Sequence, residues 1–315
     1  MTWLQLVDSE IGFMEIVTEN YTRSARFFTV SYCLRLQDKN MRKFITGTVL
    51  PQLAKRGFVL QQTIAKEKVM ALIQKLHPRQ TQFPLVRLGA KGDGGYLVPD
   101  CLEDITACFS PGVAKVSMFE FDCLERDMKI FMADKSVDEP NWKVHKNRYS
   151  FEKKYIGCTN NEAFMTLDSW FESSDLPDDA ELLLQMDIEG GEYPTLMNIS
   201  DGLIGRFKIM VIEFHRLQNL WNRGFFEIAE AVFNKILQTH VCVHLHPNNF
   251  KGTNGSVYSL FEVDIPKVME FTFLRKDVAE ITGYRTQFPH PLDYDNTARE
   301  HFPLPDDWYR GGNVR

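Results

Sequence analysis

A short run of carboxylates after an apolar stretch is the sharpest chemical pattern in the sequence. Residues 182–186 read Leu-Leu-Leu-Gln-Met, and Asp187, Glu189 and Glu192 follow with two glycines among them. Carboxylates this close repel one another unless a proton or a metal ion lies nearby. Glu192 could also begin a helix and interact with its positive end. The pattern indicates acid–base or metal chemistry at the end of a buried strand.

A second polar cluster ends the next apolar run. Residues Phe207–Phe214 predict a buried strand, with Glu213 and His215 at its end. Since the carboxyl ends of adjacent parallel strands lie at one edge of a sheet, Asp187, Glu213 and His215 should converge. They are the candidate catalytic residues, with His215 or Asp187 as general base. The same three could hold Mg²⁺ or Mn²⁺, or Glu213 could simply pair with Arg216.

A third polar cluster ends the strand predicted over residues 241–246. His246, Asn248 and Asn249 should reach the same edge of the sheet. Of the two histidines in this strand, His244 and His246, one is expected to point into the packing. With Glu189, these three side chains are the candidate substrate-binding residues.

The first strand is predicted over Ile105–Phe109. It should end in a ligand-binding turn at the same edge of the sheet. Ser110 and Gly112 lie in the turn after it, and a glycine lets the backbone approach a ligand. Asp134 ends the second strand, 134 − 112 = 22 residues after Gly112. An acid at about this spacing binds a ribose diol. A single glycine favours a nucleoside ligand over a dinucleotide, although a plain turn and a surface acid remain the alternative.

A glycine-rich loop precedes the first strand. Gly94 is one of four glycines around Asp93 within residues 87–96. Such a loop can offer backbone N–H groups to a ligand. Asp-Gly-Gly is also good chemistry for a hairpin turn. Gly94 is taken as a candidate cofactor contact, and the hairpin is kept as the alternative.

Short apolar runs alternate with amphipathic stretches between residues 83 and 277, which is typical of a βαβ arrangement. Further strands are predicted over Lys129–Ala133, 150–156 and Leu182–Met186, and helices over Val116–Glu125, Thr166–Ser173 and Phe225–Leu237. The final strands, Val241–His246 and Val268–Leu274, have no helix between them and should pair antiparallel. The fold class is therefore α/β: a Rossmann-like sheet, mostly parallel, with an antiparallel last strand.

The chain is predicted to have three parts. Residues 1–80 form an N-terminal helical appendage, with a helix that ends near Leu76 before His77-Pro78. Residues 81–277 form the sheet domain. Residues 278–315 are rich in proline and charge, and are expected to be an extended tail over the surface.

Composition excludes several classes of protein. A net charge of −6 argues against a nucleic-acid binder, whose affinity depends on neutralising phosphates. The six cysteines include no C-x-x-C pair, and Cys108, Cys123 and Cys242 lie in apolar runs typical of a core. A reducing cytoplasm is expected. We expect no signal peptide and no membrane span, because the apolar runs are too short.

Three segments resemble the FkbM-type methyltransferases: Met165–Trp170, Leu184–Tyr193 and Ile209–His215. They correspond to the family's Leu-Asp helix start, its Asp-Ile-Glu-Gly-x-Glu strand end and its Glu-x-His-like end of the next strand. The resemblance covers roughly residues 83–277. Family members usually have a glycine-richer first loop than the Ser-Pro-Gly-Val found here at residues 110–113.

The resemblance implies that S-adenosylmethionine is the cofactor and that a hydroxyl is methylated. Its candidate contacts in this chain are Gly94, Ser110, Gly112, Asp134 and Asp187. The polar edge suits a sugar hydroxyl, on a nucleotide-linked sugar or a surface polysaccharide. Whether Mg²⁺ or Mn²⁺ takes part and whether the chain forms a homo-oligomer are left open.

Two rival functions belong to other classes. A metal-dependent hydrolase could use the same carboxylates and histidine, but it leaves Gly112 and Asp134 without a role. A non-catalytic binding module could keep the fold without the chemistry. Binding of S-adenosylhomocysteine separates methyl transfer from both.

Overall fold

The computed structural model describes residues 28–32, 43–56, 58–113, 117–140, 142, 147–251 and 253–310. Nearly half of the predicted helical appendage, residues 1–27, 33–42 and 57, lies outside the described residues. The described part also contains a parallel pair of strands, β1 (Phe28–Tyr32) and β2 (Phe58–Gln62), which the sequence analysis did not predict.

The remaining strands and the helices follow in chain order. The strands are β3 (Arg79–Thr81), β4 (Leu85–Gly89), β5 (Gly95–Pro99), β6 (Ile105–Pro111), β7 (Lys129–Ala133), β8 (Tyr149–Glu152), β9 (Tyr155–Gly157), β10 (Phe164–Thr166), β11 (Glu181–Met186), β12 (Phe207–His215), β13 (His240–Pro247), β14 (Val257–Leu260), β15 (Val263–Pro266), β16 (Val268–Arg275) and β17 (Ile281–Tyr284). The α-helices are α1 (Leu50–Lys55), α2 (Lys66–Lys75), α3 (Met118–Leu124), α4 (Leu167–Glu172), α5 (Glu192–Asn198), α6 (Asp201–Ile204), α7 (Arg223–Thr239) and α8 (Thr253–Ser256).

Seven strands form the central sheet, in the order β13-β16-β12-β11-β6-β7-β8. The neighbours from β12 to β8 pair parallel, and β16 pairs antiparallel with both β12 and β13. The mostly parallel α/β sheet and the antiparallel pairing of the last two strands are confirmed. The strand predicted over residues 150–156 is divided between β8 and β9.

The chain order within the sheet reverses between β6 and β11. From β6 the chain continues outward to β7 and β8, whereas β11 begins the other half, which continues to β12. In open α/β sheets such a switch point leaves a crevice at the carboxyl ends of the strands, where ligands bind. The end of β6 and the end of β11 are therefore the places to look for a ligand site.

The pattern of apolar residues in the sequence explains why these segments form buried strands and helices. All but the first residue of β11 are buried, as a run of leucines between two covered faces requires. Helix α4 begins where the Thr166 hydroxyl accepts a hydrogen bond from Ser169 N at 3.2 Å, which makes Thr166 its N-cap. Cys108, Cys123 and Cys242 are buried, as predicted.

The antiparallel hairpin of β4 and β5 lies against the central sheet. Thr272 Oγ1, on β16, donates a hydrogen bond to the carbonyl of Leu97, on β5, at 2.7 Å. The glycine-rich loop is the turn of this hairpin. Arg87 holds the turn by donating to the carbonyls of Ala90 at 2.7 Å and Gly92 at 2.9 Å.

The C-terminal residues are tied into the packed structure. Strand β17 pairs antiparallel with β3, and Trp308 is fully buried. The Trp308 indole N–H donates to the carbonyl of Asp264 at 3.0 Å. Residues 278–310 thus contribute a strand and buried side chains, beyond the surface tail that the sequence suggested.

The chain divides into two compact units. One comprises the described part of Met1–Val69 together with Asn219–Glu227, and the other comprises Met70–Gln218 and Ile228–Arg315. The second unit contains the whole central sheet. Among the described residues, no helix combines the length and the apolar composition that a membrane span requires.

An aromatic cluster around Phe109 generates a stability prediction. The Phe109 ring stacks on Phe131 at 4.7 Å and meets Trp170 edge-on at 5.0 Å, and it is buried. Phe109→Ala should lower the free energy of unfolding by about 3–5 kcal/mol, because it leaves a cavity in the sheet core. Urea denaturation measures this loss. Met197→Ala, at a side chain that is 43% exposed, should change it by less than about 0.5 kcal/mol. Equal effects would contradict the packing described.

Candidate active site

The two halves of the sheet meet where Gly112 lies against Asp187. A Cβ at Gly112 would lie 1.6 Å from the carbonyl oxygen of Asp187, and the residue has a φ of +84°. Asp187 N donates to Pro111 O at 3.2 Å, and Gly112 N donates to Ala133 O at 3.0 Å. Only glycine fits this position. The turn after β6 is therefore fixed to the end of β11, at the switch point of the sheet.

Glu192 organises the loop between β11 and α5. Its carboxylate is fully buried and accepts hydrogen bonds from the backbone N–H groups of Gly190 at 3.0 Å and Ile188 at 3.3 Å. The same oxygen, Oε1, lies 3.1 Å from Nδ1 of His215. Glu192 begins α5, as the sequence allowed, and it also orients the histidine. Glu189, on the same loop, is exposed and has a positive φ of 56°.

His215 is surrounded by carboxylates. Its Nε2 lies 3.4 Å from Glu189 Oε2, 3.8 Å from Glu213 Oε1 and 3.9 Å from Asp187 Oδ1. Burial would lower the pKa of His215, but the hydrogen bond and charge of Glu192, with the charges of Asp187 and Glu189, raise it above 6.5. The imidazole is thus held by Nδ1 and presents Nε2 to the rest of the site.

The carboxyl groups of the site have raised pKa values. Burial raises the pKa of Asp187 to about 7, against the opposing effect of His215. Burial, followed by the charges of Asp187 and Glu270, raises the pKa of Glu213 well above its ordinary value. At neutral pH, bound protons or a cation must compensate the negative charge of these carboxyl groups.

Asp187, Glu213 and His215 form a cluster that could hold a metal ion. One ligand atom of each lies within 4.8 Å of the others. Asp187 Oδ1 and Glu213 Oε2 are buried and have no hydrogen-bond partner among the described residues. Two carboxylate oxygens and an imidazole nitrogen suit Mg²⁺ or Mn²⁺. The cluster is the one that the sequence predicted.

Next to this cluster, a row of polar side chains crosses the sheet. Glu213 pairs in register with Glu270 on β16, and Glu270 pairs in register with His246 on β13. Directly opposed residues project from the same face of a sheet. The Asn248 amide donates to Glu213 Oε1 at 3.0 Å, and the Asn296 amide donates to Glu270 Oε1 at 2.8 Å. The row therefore extends the site from β12 to β13.

The C-terminal residues close one end of this row. Asp293 Oδ1 lies 2.9 Å from His244 Nε2 and 3.7 Å from His246 Nδ1. The side chain of Asn249 is fully buried and donates to the carbonyls of Thr297 and Arg299, both at 3.1 Å. Asn249 therefore fastens the C-terminal segment, while Asn248 and His246 remain in the row.

The predicted cofactor contacts lie in three places. Asp134 follows β7, where its carboxylate accepts hydrogen bonds from N and Oγ of Ser136 at 2.6 and 2.7 Å. Gly94, with a φ of +72°, lies in the turn of the β4–β5 hairpin. Ser110 is fully buried beneath the Gly112 turn, and its hydroxyl contacts other side chains of the interior.

Residues 131–239 match the family model of the methyltransferase FkbM domain. Over this range the chain is similar to the methyltransferase FkbM domain. The match confirms the resemblance seen in the motifs, over a narrower range than residues 83–277. It contains Asp134, Asp187 and the Glu213–His215 strand end. A search of curated proteins gave no match to the chain.

Several residues of the candidate site were missed or undervalued in the sequence analysis. Glu192 had a helix start as its alternative role, and Glu120 was not among the candidate residues, yet both are buried. Glu270 interrupts an apolar strand, and a lone acid inside such a run was the signal for it. Asp293 and Asn296 carry no local signal, since their partners lie 49 and 26 residues away in the sequence.

The pairing of Glu192 with His215 predicts a change in titration. Glu192→Gln should lower the pKa of His215, because the amide can still accept the loop N–H groups but carries no negative charge. Imidazole NMR across a pH series measures this. Glu181→Gln is the control, because Glu181 pairs with Arg275 at the other end of β11. A His215 pKa that is unchanged in Glu192→Gln would contradict the assigned role of Glu192.

Proposed function

We propose that the chain is an S-adenosylmethionine-dependent O-methyltransferase with a Rossmann-like fold. Its acceptor is a sugar hydroxyl, on a nucleotide-linked sugar or a surface polysaccharide, and it acts in the cytoplasm. The observation that carries the proposal is the contact of Gly112 with Asp187. This contact joins the turn suited to a nucleoside to the acidic edge, within a chain that matches the FkbM domain.

The chain's own residues would bind and orient the two substrates. S-adenosylmethionine, when bound, supplies a methyl group that is already activated on a sulfonium. Asp134 would hold the ribose hydroxyls, and the Gly112 turn would let the ligand lie against the backbone. The polar row with His246 and Asn248 would bind the acceptor. Alignment of the acceptor oxygen is then the main contribution of the protein to catalysis.

The cluster of Asp187, Glu213 and His215 would remove the proton from the hydroxyl group of the acceptor. In one version these three residues would hold a divalent metal ion, which would make the alcohol more acidic. In the other version no metal takes part, and His215 or Asp187 takes the proton. Because Glu192 holds Nδ1 of His215, Nε2 is the nitrogen that would accept it. The unpartnered oxygens of Asp187 and Glu213 favour the metal version.

Calorimetric titration with S-adenosylhomocysteine tests the proposed function. Binding at a single site supports methyl transfer. If the product does not bind while Mn²⁺ still does, the chain is a metal-dependent hydrolase or a metal-binding module, and the proposal fails. Mass spectrometry of a sugar-nucleotide and glycan pool incubated with enzyme and cofactor then identifies the acceptor. Methylation found only on protein or nucleic acid would contradict the sugar acceptor.

The role of Asp134 is tested in the same titration. Asp134→Ala should weaken S-adenosylhomocysteine binding by about 1.5–3 kcal/mol, since a charged hydrogen-bond acceptor is lost. Ser136→Ala is the matched control, because it removes one local hydrogen bond of Asp134 and keeps the carboxylate. Should Asp134→Ala bind as tightly as the parent chain, the ribose assignment is wrong.

The two versions of deprotonation give different results with a chelator. In the metal version EDTA abolishes turnover, Mg²⁺ or Mn²⁺ restores it, and Glu213→Gln weakens Mn²⁺ binding at least about tenfold. Glu270→Gln is the control, since Glu270 neighbours Glu213 but lies outside the cluster. In the metal-free version EDTA has no effect, and His215→Ala loses on the order of 10²–10⁴-fold in turnover while binding cofactor normally. Near-normal turnover in both tests would remove the cluster from the mechanism.

A further inference from the structure

Four buried polar side chains form a continuous chain beneath the Gly112 turn. Ser110 Oγ contacts Glu120 Oε1 and lies 2.6 Å from Gln185 Oε1. Gln185 Nε2 donates to Tyr96 Oη at 3.2 Å. Each of the four side chains is 5% exposed or less. These hydrogen-bonded side chains run from α3 through β6 and β11 to β5, so they link four elements around the site.

The distances fix the direction of these hydrogen bonds. A separation of 2.6 Å between Ser110 and Gln185 fits an O–H donor and is short for an N–H donor, whereas 3.2 Å between Gln185 and Tyr96 fits an N–H donor. Ser110 therefore gives its single hydrogen to Gln185. The contact between Ser110 and Glu120 then needs a hydrogen from Glu120, which must be a neutral carboxylic acid that donates.

Burial of Glu120 agrees with this assignment. Burial is the largest influence on Glu120, and it raises the pKa of this carboxyl group. No cation contributes to its environment among the described residues. An uncompensated buried carboxylate would be costly, whereas a neutral acid can donate a hydrogen bond at little cost.

The direction of these hydrogen bonds leaves the hydroxyl hydrogen of Tyr96 free to bind a ligand. Tyr96 Oη accepts from Gln185, and within the described part of the chain its own hydrogen has no acceptor. Asp187 directly follows β11, and after burial its charge is the next cause that raises the pKa of Tyr96, as a nearby carboxylate would. Asp187 Oδ1 is a buried acceptor without a donor. An unsatisfied donor and an unsatisfied acceptor thus face the same region, on the side of the hairpin that covers the sheet.

We propose that Tyr96 and Asp187 hold the acceptor alcohol between them. The Tyr96 hydroxyl donates a hydrogen bond to the alcohol oxygen, and the alcohol hydroxyl donates to Asp187. This inference rests on the proposed methyl transfer and assigns an acceptor-binding residue to it. An alcohol oxygen has one hydrogen and two lone pairs. One lone pair accepts from Tyr96, and the second stays available for the bond to the methyl carbon.

Tyr96 and Asp187 together would select a ligand that carries a hydroxyl group. A ligand must both accept and donate at one atom, which a hydroxyl does and an ether or a carbonyl oxygen does not. Glu120 and Ser110 are positioning residues in this arrangement, because they act on the ligand only through Gln185 and Tyr96. The ring of Tyr96 is fixed by its edge-on contact with Phe119 at 5.5 Å, so the hydroxyl is presented from a rigid position.

Binding of simple alcohols to the S-adenosylhomocysteine complex tests the inference. The probes are methyl α-glucopyranoside, methyl α-galactopyranoside, methyl α-rhamnopyranoside and glycerol, followed by calorimetry. Tyr96→Phe keeps the ring, so the melting temperature and the S-adenosylhomocysteine affinity should stay near those of the parent chain. Affinity for the probe that binds best should fall about tenfold. Tyr149→Phe is the matched control, because that buried hydroxyl donates to Pro140 O at 3.1 Å and should have no effect.

The positioning chain is tested with two variants of Glu120. Glu120→Gln keeps an N–H donor and should retain the alcohol affinity. Glu120→Met removes the donor and should reduce the affinity as Tyr96→Phe does. Rescue by glutamine separates hydrogen donation from simple packing, and circular dichroism checks that each variant is folded.

Each outcome supports or overturns a defined claim. If S-adenosylhomocysteine does not bind the parent chain, the proposed function fails, whatever the alcohols do. If it binds but no alcohol probe binds the complex, or if Tyr96→Phe binds the probes as tightly as the parent, the inference about Tyr96 is wrong while the cofactor assignment stands. If Glu120→Gln loses affinity as Glu120→Met does, the donor assignment of Glu120 is wrong.

Discussion

Burial of several carboxyl groups at one edge of the central sheet is the constraint on which the site depends. Glu192 and Glu213 are buried, and Asp187 beside them is partly buried, with a side chain that is 26% exposed, so little water remains to solvate their charges. Each needs a partner. Glu192 receives two backbone N–H groups and the imidazole of His215. Asp187 and Glu213 keep unpartnered oxygens, so their remaining compensation has to come from a proton, a metal ion or a ligand.

The arrangement of the backbone makes this concentration of charge possible. Gly112 lets the end of β6 lie directly on the carbonyl of Asp187, and the chain order reverses between these two strands. A side chain at Gly112 would separate the turn after β6 from the acidic edge.

The sequence predicted the parts of the site that follow strand ends. The apolar run before Asp187 and the run before His215 are long, buried and bounded by polar residues, so their carboxyl ends could be placed at one edge. Residues that contribute from the middle of an element were harder to find. Glu270 lies within β16, and its place beside Glu213 depends on the insertion of that strand between β12 and β13. That insertion follows from three-dimensional packing rather than from local periodicity.

The contacts of the C-terminal segment were also not predictable from local sequence patterns. Proline and charge gave residues 278–315 the composition of a surface tail. In the structure Asp293 lies against His244, and the side chain of Asn296 reaches Glu270. Long-range polar pairs of this kind leave no pattern in a single sequence, because each partner looks ordinary in its own neighbourhood. Helix and strand positions depend mainly on local burial, and they were predicted more completely.

A crystal structure of the chain with S-adenosylhomocysteine would test the central claim most directly. The account predicts that the ribose hydroxyls lie within hydrogen-bond distance of Asp134, and that the sulfur lies in the crevice between the Gly112 turn and Asp187. His215, Asp187 and Tyr96 should face the vacant methyl position from the acceptor side. A ligand bound away from Gly112 and Asp187 would contradict the account.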